Sequence, residues 1–270
     1  MASKSTRAIA RSAPLSTLIL GLIAANILVL LVLLPLPWMQ KFFLIASPFC
    51  PQRPAHSIYI GGEQMPIEAR MFGMFGGALL ALLYFAARGR LRAAAFPRGW
   101  RLGLCVLLLG VMAFDGTQAF LYDLGILRLY TPNLYLRLGT GLASGVAIAM
   151  ILVPLVNQSL WQSPERELEL FKDWKDVAGM AMTQALLYAL AFSNWPSVLL
   201  PLSVFNSAAI AVIMSALGTL ILVLVTRRVG QFTSARMAAG HFYGGFVLAA
   251  ITIAVMAAAR LALFGTGPLG

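Results

Sequence analysis

Three short runs place ionisable or amide side chains among residues that are otherwise apolar. The first, AFDGTQAF, carries Asp115 and Gln118 at a spacing of three, on one face of a helix. The second begins at Asn133 and continues with Arg137, Thr140, Gly141 and Ser144, again a single helical stripe. The third, residues 50–70, gathers Arg53, His56, Glu63, Gln64, Glu68 and Arg70 in a chain that is only 11% charged. A charged side chain inside a bilayer costs a few kcal/mol or more, so each such residue is a site candidate. An acid, basic groups and several amides around one mouth could hold a polar headgroup, a small anion or a quinone-like ring. An Asp115–Arg137 ion pair would cancel two burial costs, with Gln118 and Asn133 satisfying the leftover donors and acceptors. The same residues therefore also admit a structural reading, a buried pair that fixes helix register.

The elements that must position these residues are transmembrane helices. The chain is 60% hydrophobic, with a mean hydropathy of +0.85, against about 45–50% apolar for soluble domains. A hydrocarbon core of about 30 Å needs roughly 20 apolar residues in a helix. Seven spans fit, at about 14–37, 71–87, 102–121, 138–160, 178–199, 203–226 and 238–264. The fold class expected is an all-α integral membrane protein. Dividing Lys and Arg between the two sides gives fourteen against six, which predicts the N-terminus inside and the C-terminus outside. Residues 50–70 and 122–137 then face outward together. The organisation expected is a four-helix region over 1–160, a cytoplasmic amphipathic connector over 161–177 and a three-helix region over 178–270.

The N-terminal MASKSTRAIARSAP is basic and Ser-rich, but the apolar run behind it is longer than a secretory h-region and ends at Trp38 and Lys41, which read as interfacial anchors. An uncleaved first span is expected. In the connector, Ser163 is a candidate N-cap, Pro164 suits the first helical position and Glu165 and Glu167 complement the helix dipole. Leu168, Leu170, Phe171 and Trp174 would lie on the membrane while Lys172 and Lys175 face water. Glycines paired at a spacing of four (Gly73 and Gly77, Gly141 and Gly145, Gly240 and Gly244) suit close helix packing. His241 reads as a packed, hydrogen-bonded histidine. Cys50 and Cys105 fall on opposite sides, so no disulfide is expected.

The net charge of +11 does not point to nucleic acid, because Lys and Arg cluster at the ends of apolar runs. Phosphate-binding loops, metalloprotease and nucleophile-elbow motifs and dinucleotide fingerprints are not found in the sequence. The run CPQRPAHSIYIGGEQMPIEARMFGMFGG, then FDGTQ, then NLYLRLGTGLASG, resembles the bacterial predicted membrane protein family of domain of unknown function 2085, over about residues 49–150. The resemblance implies soft-metal or redox ligands at Cys and His positions. Of these only Cys50 persists: Pro51 stands for His, Glu68 and Met71 for two Cys, and His56 for Arg. Cys50, His56, Glu68 and Met71 make a poor mixed ligand set. The Asp115, Gln118, Asn133, Arg137 and Thr140 set is intact.

Three readings of function follow. The first is a non-enzymatic accessory or partner-binding subunit with a polar outward-facing site involving Arg53, Gln64 and Arg70. The second is a transporter or binder of a small polar, lipid or quinone-like ligand at Asp115, Gln118 and Arg137. The third is a metal- or redox-dependent membrane enzyme at Cys50, His56 and Glu68. The expected setting is the bacterial cytoplasmic membrane, with lipid, subunits of a membrane complex or a second copy as partners and no cofactor.

Overall fold

A computed structural model describes residues 4–265, with side chains from Leu15 onward. The side chains of Lys4, Arg7 and Arg11, three of the fourteen basic residues counted on the inner side, lie outside the described set. The described residues form eight α-helices: α1 (Lys4–Leu33), α2 (Trp38–Ala46), α3 (Ala69–Ala87), α4 (Trp100–Asp123), α5 (Leu134–Leu160), α6 (Trp174–Ala191), α7 (Pro196–Val225) and α8 (Ala235–Phe264). A two-stranded hairpin, β1 (Ser57–Ile60) and β2 (Glu63–Glu68), leads into α3. Six helices, all but α2 and α6, are long and apolar enough to cross a bilayer. The class is therefore an all-α, multi-pass membrane fold.

The shorter α6 is held at both ends. It begins with Asp176 bonded to Arg88 and Arg90, just past the end of α3. Beyond its far end, the Asn194 side chain accepts a hydrogen bond from the Gly61 N–H in the hairpin turn at 2.8 Å. Its 18 residues rise about 27 Å. Six of the seven runs read from hydropathy fall on the six long helices, and the run 178–199 covers most of α6, the turn after it and the first turn of α7.

The α3–α5 contact is close, and the paired glycines explain it. A Cβ added at Gly73 would lie 2.7 Å from the Leu138 carbonyl oxygen and the Leu142 nitrogen. One added at Gly145 would lie 2.6 Å from Ala78 N and Met74 O. Backbone thus touches backbone along two turns, as small-residue pairs permit. Around this crossing, Phe72, Leu138, Ile210 and Ile67 are wholly or almost wholly buried, so α3, α5, α7 and β2 share one core.

The hairpin follows from Gly61 and Gly62, whose φ of +61° and +87° suit the tight turns that match strand twist. Ser57 pairs with Glu68, Tyr59 with Gln64 and Ile60 with Glu63, with a bulge between Ser57 and Tyr59. Ile58, Ile60, Met65 and Ile67 are buried beneath it. Lys41 does not act as a simple interfacial anchor. Its ammonium donates to the Val32 carbonyl at 2.8 Å and lies over the Trp38 ring, capping the end of α1.

The connector expected as an amphipathic helix has a different form. Residues 161–173 form an irregular strap, and the cap of the following helix is Asp173, not Ser163. Leu170 and Phe171 are both buried, with the Phe171 ring 5.2 Å from that of Phe85. The strap lacks the regular backbone hydrogen bonds of a helix, so the carbonyls of Leu170 and Phe171 have no partner within the segment. Its exposed carbonyls need donors, and arginines supply them: Arg90 donates to Leu170 O at 2.8 Å and Arg101 to Phe171 O at 2.5 Å. Asp176 anchors the strap, accepting from Arg88, Arg90 and the Lys172 N–H. Burial would push its carboxyl up, but these donors hold it at about 2.

Candidate polar site

At the hairpin end, α3, α4 and α5 bring Asp115, Gln118, Arg70 and Thr140 together with Tyr130 from the α4–α5 loop. Asp115 is 3% exposed and its carboxylate is saturated. Arg70 donates at 2.5 Å and Thr140 at 3.1 Å to one oxygen, and Tyr130 donates at 2.6 Å to the other. Gln118 donates to the Tyr130 carbonyl at 2.7 Å and so holds that loop. Burial, and then the bond to Asp115, push the Tyr130 hydroxyl up to about 12, which keeps it a donor.

The expected Asp115–Arg137 pair is replaced by Asp115–Arg70. Arg70 stands in the first turn of α3, directly above the glycine crossing, and so reaches Asp115 first. Arg137 is left over. It is 8% exposed, and its guanidinium has no hydrogen bond or ion pair among the described residues. It lines an open cavity of about 430 Å³ with His56, Tyr122, Asp123, Asn133 and Tyr135. Burial first, and then the positive charge of Arg137, lower the His56 pKa. The site therefore holds one neutralised pair and one surplus buried cation facing a cavity.

Asn133 serves two ends. Its side-chain oxygen caps α5 by accepting from the Leu136 N–H at 2.9 Å, and the residue also lines the cavity. Arg53 and Gln64 belong to the hairpin and its lead-in. Gln64 donates to Gln52 O and Ser57 Oγ at 2.9 and 3.0 Å, and the Arg53 N–H donates to Glu68. Glu68 also faces His56 at 3.7 Å. Cys50 lies buried beneath this loop, and burial pushes its thiol up to about 11, so it offers no thiolate to His56 and Glu68. Among the described residues, no three of His, Cys, Asp and Glu converge.

Sequence reasoning missed Tyr130, Tyr122 and Asp123, which sit in a loop or at a helix end where no periodicity marks them. It also missed the clamp made by Arg260. From α8, that guanidinium donates to the carbonyls of Ser47, Cys50 and Pro51 and to Gln52 Oε1 at 2.8–3.0 Å.

Fold and site together define a multi-pass α-helical membrane protein with a buried polar cluster at one end. Residues 50–151, the stretch that carries the motifs described above, match the family described as predicted membrane protein (DUF2085). An uncharacterised protein of Methanocaldococcus jannaschii is 26% identical over 120 residues, covering 44% of this chain and 71% of that one. No solved structure is significantly similar.

Proposed function

We propose that this chain is a membrane-embedded binding protein for a small oxyanion, a carboxylate or phosphate group, held by Arg137 in the cavity at the hairpin end. The observation that carries this reading is the unpaired guanidinium of Arg137, a residue only 8% exposed that lines an open cavity. An isolated buried charge is strongly disfavoured, and a bound anion would supply the missing partner through bidentate hydrogen bonds. Asp115 does not compete, because Arg70, Tyr130 and Thr140 already occupy it. The excess of Lys and Arg at the strap end supports a cytoplasmic strap and an outward-facing cavity in the cytoplasmic membrane.

The test is calorimetric titration of the detergent-purified chain with inorganic phosphate and with acetate. Binding of either that is lost in Arg137→Gln supports the reading. No binding of either anion, or binding that survives the substitution, sinks it.

One observation favours a second reading, an accessory subunit of a larger assembly. Helix α1 packs chiefly on α8 and leaves Leu18, Leu22, Leu30 and Leu33 each more than 60% exposed. That flank would accept lipid or a partner helix. Native mass spectrometry of gently extracted protein separates the two: fixed-stoichiometry partners favour the subunit, and a small added mass favours the ligand.

A further inference from the structure

The cavity that Arg137 lines has a second charged wall. Asp123, the last residue of α4, is exposed on it, and its carboxylate makes no hydrogen bond or ion pair among the described residues. Asp123 and Arg137 share the cavity without pairing with each other. Both line a space of about 430 Å³, the size of a small-ligand pocket. Tyr122 and Tyr135 supply aromatic walls. Arg128, which does not line the cavity, lies over the Tyr122 ring at 5.5 Å, so the partner for an ammonium in the cavity is the Asp123 carboxylate. A simple anion on Arg137 would be repelled by Asp123, whereas a molecule that also carries an ammonium would satisfy both.

Building on the oxyanion site, we infer that the ligand is a zwitterion: an oxyanion seated on Arg137, joined to an ammonium that faces Asp123. Such chemistry is found in soluble amino compounds and in the headgroups of phosphoethanolamine lipids, and the experiment must separate these sources.

The probes are inorganic phosphate and phosphoethanolamine, titrated into the full chain in detergent. Wild type is expected to bind phosphoethanolamine about tenfold more tightly than phosphate, the worth of one charge-assisted contact. In Asp123→Asn that ratio falls to near one, with phosphate binding tightened because the repelling carboxylate is gone. Arg137→Gln loses both probes. Phosphate binding without preference for phosphoethanolamine, or a preference that survives Asp123→Asn, overturns the zwitterion and leaves the oxyanion site standing. Failure to bind either probe removes both. Nanodiscs containing phosphatidylethanolamine, compared with phosphatidylglycerol alone, then assign the source. A lipid source makes the soluble probe compete only in the former, and a soluble source leaves its affinity equal in both.

Discussion

Replacing Arg70 by methionine removes the charged partner of Asp115 while keeping most of the aliphatic stem. The side chains are 15% and 4% exposed, so the carboxylate is left in a place that water barely reaches. Breaking a buried ion pair from one side costs about 3–5 kcal/mol. Tyr130 and Thr140 still donate to Asp115, which puts the expectation near the lower end, about 3 kcal/mol. At about 2–4 °C per kcal/mol for a chain of this size, Tm should fall by about 6–12 °C. Cys50 and Cys105 are both buried, so a thiol-reactive fluorophore reports unfolding in detergent directly. Arg137→Met is the essential comparison. It removes a buried cation that has no partner, so Tm should hold or rise while anion binding disappears. The double variant Arg70→Met with Asp115→Leu should recover most of the loss. If Arg137→Met destabilises as much as Arg70→Met, Asp115 is paired with Arg137 in the working protein and the surplus-cation argument collapses.

Three other perturbations read different parts of the fold. Gly145→Ala would gain up to about 1 kcal/mol of helix propensity, yet its Cβ would sit 2.6 Å from α3 backbone; net destabilisation is expected in the same thermal assay, and a rise in Tm would contradict the packing. Arg260→Ala should free the loop over Cys50, so that a maleimide at pH 7 labels a thiol it otherwise leaves unreacted; unchanged labelling would show that the clamp is dispensable. The Asp176 carboxyl is depressed from 3.8 to about 2, so its contribution is complete above pH 4 and is lost as pH falls through 2. Fluorescence from the stacked Trp100–Trp174 pair should change in that window in wild type and lack the step in Asp176→Asn.

Much of this was legible because the bilayer makes a simple demand: each long apolar run must be helical, and six of the runs fall on helices long and apolar enough to cross. The glycine spacing at 73/77 and 141/145 also carried through, since backbone contact between α3 and α5 has no substitute for a missing side chain. The partner of Asp115 was not legible. Arg70 reads as part of a polar loop until the hairpin is known to end at Glu68, which makes Arg70 a first-turn helical residue. The strap failed for a related reason. Its spacing of Leu168, Leu170, Phe171 and Trp174 fits a surface helix, and only arginines from other elements, at 90 and 101, make an extended path affordable. Long-range donors leave no local signature.

The Arg260 clamp also has a consequence for how the molecule is made. The carbonyls it gathers begin at Ser47, 213 residues earlier in the chain. Every helix that builds the polar site is synthesised, and can enter the membrane, well before the guanidinium that closes the adjoining loop exists. During that interval the Cys50 loop lacks the four hydrogen bonds that Arg260 supplies. Arrival of α8 is therefore a completion step, which gives α1 its packing partner and closes the loop over Cys50 together.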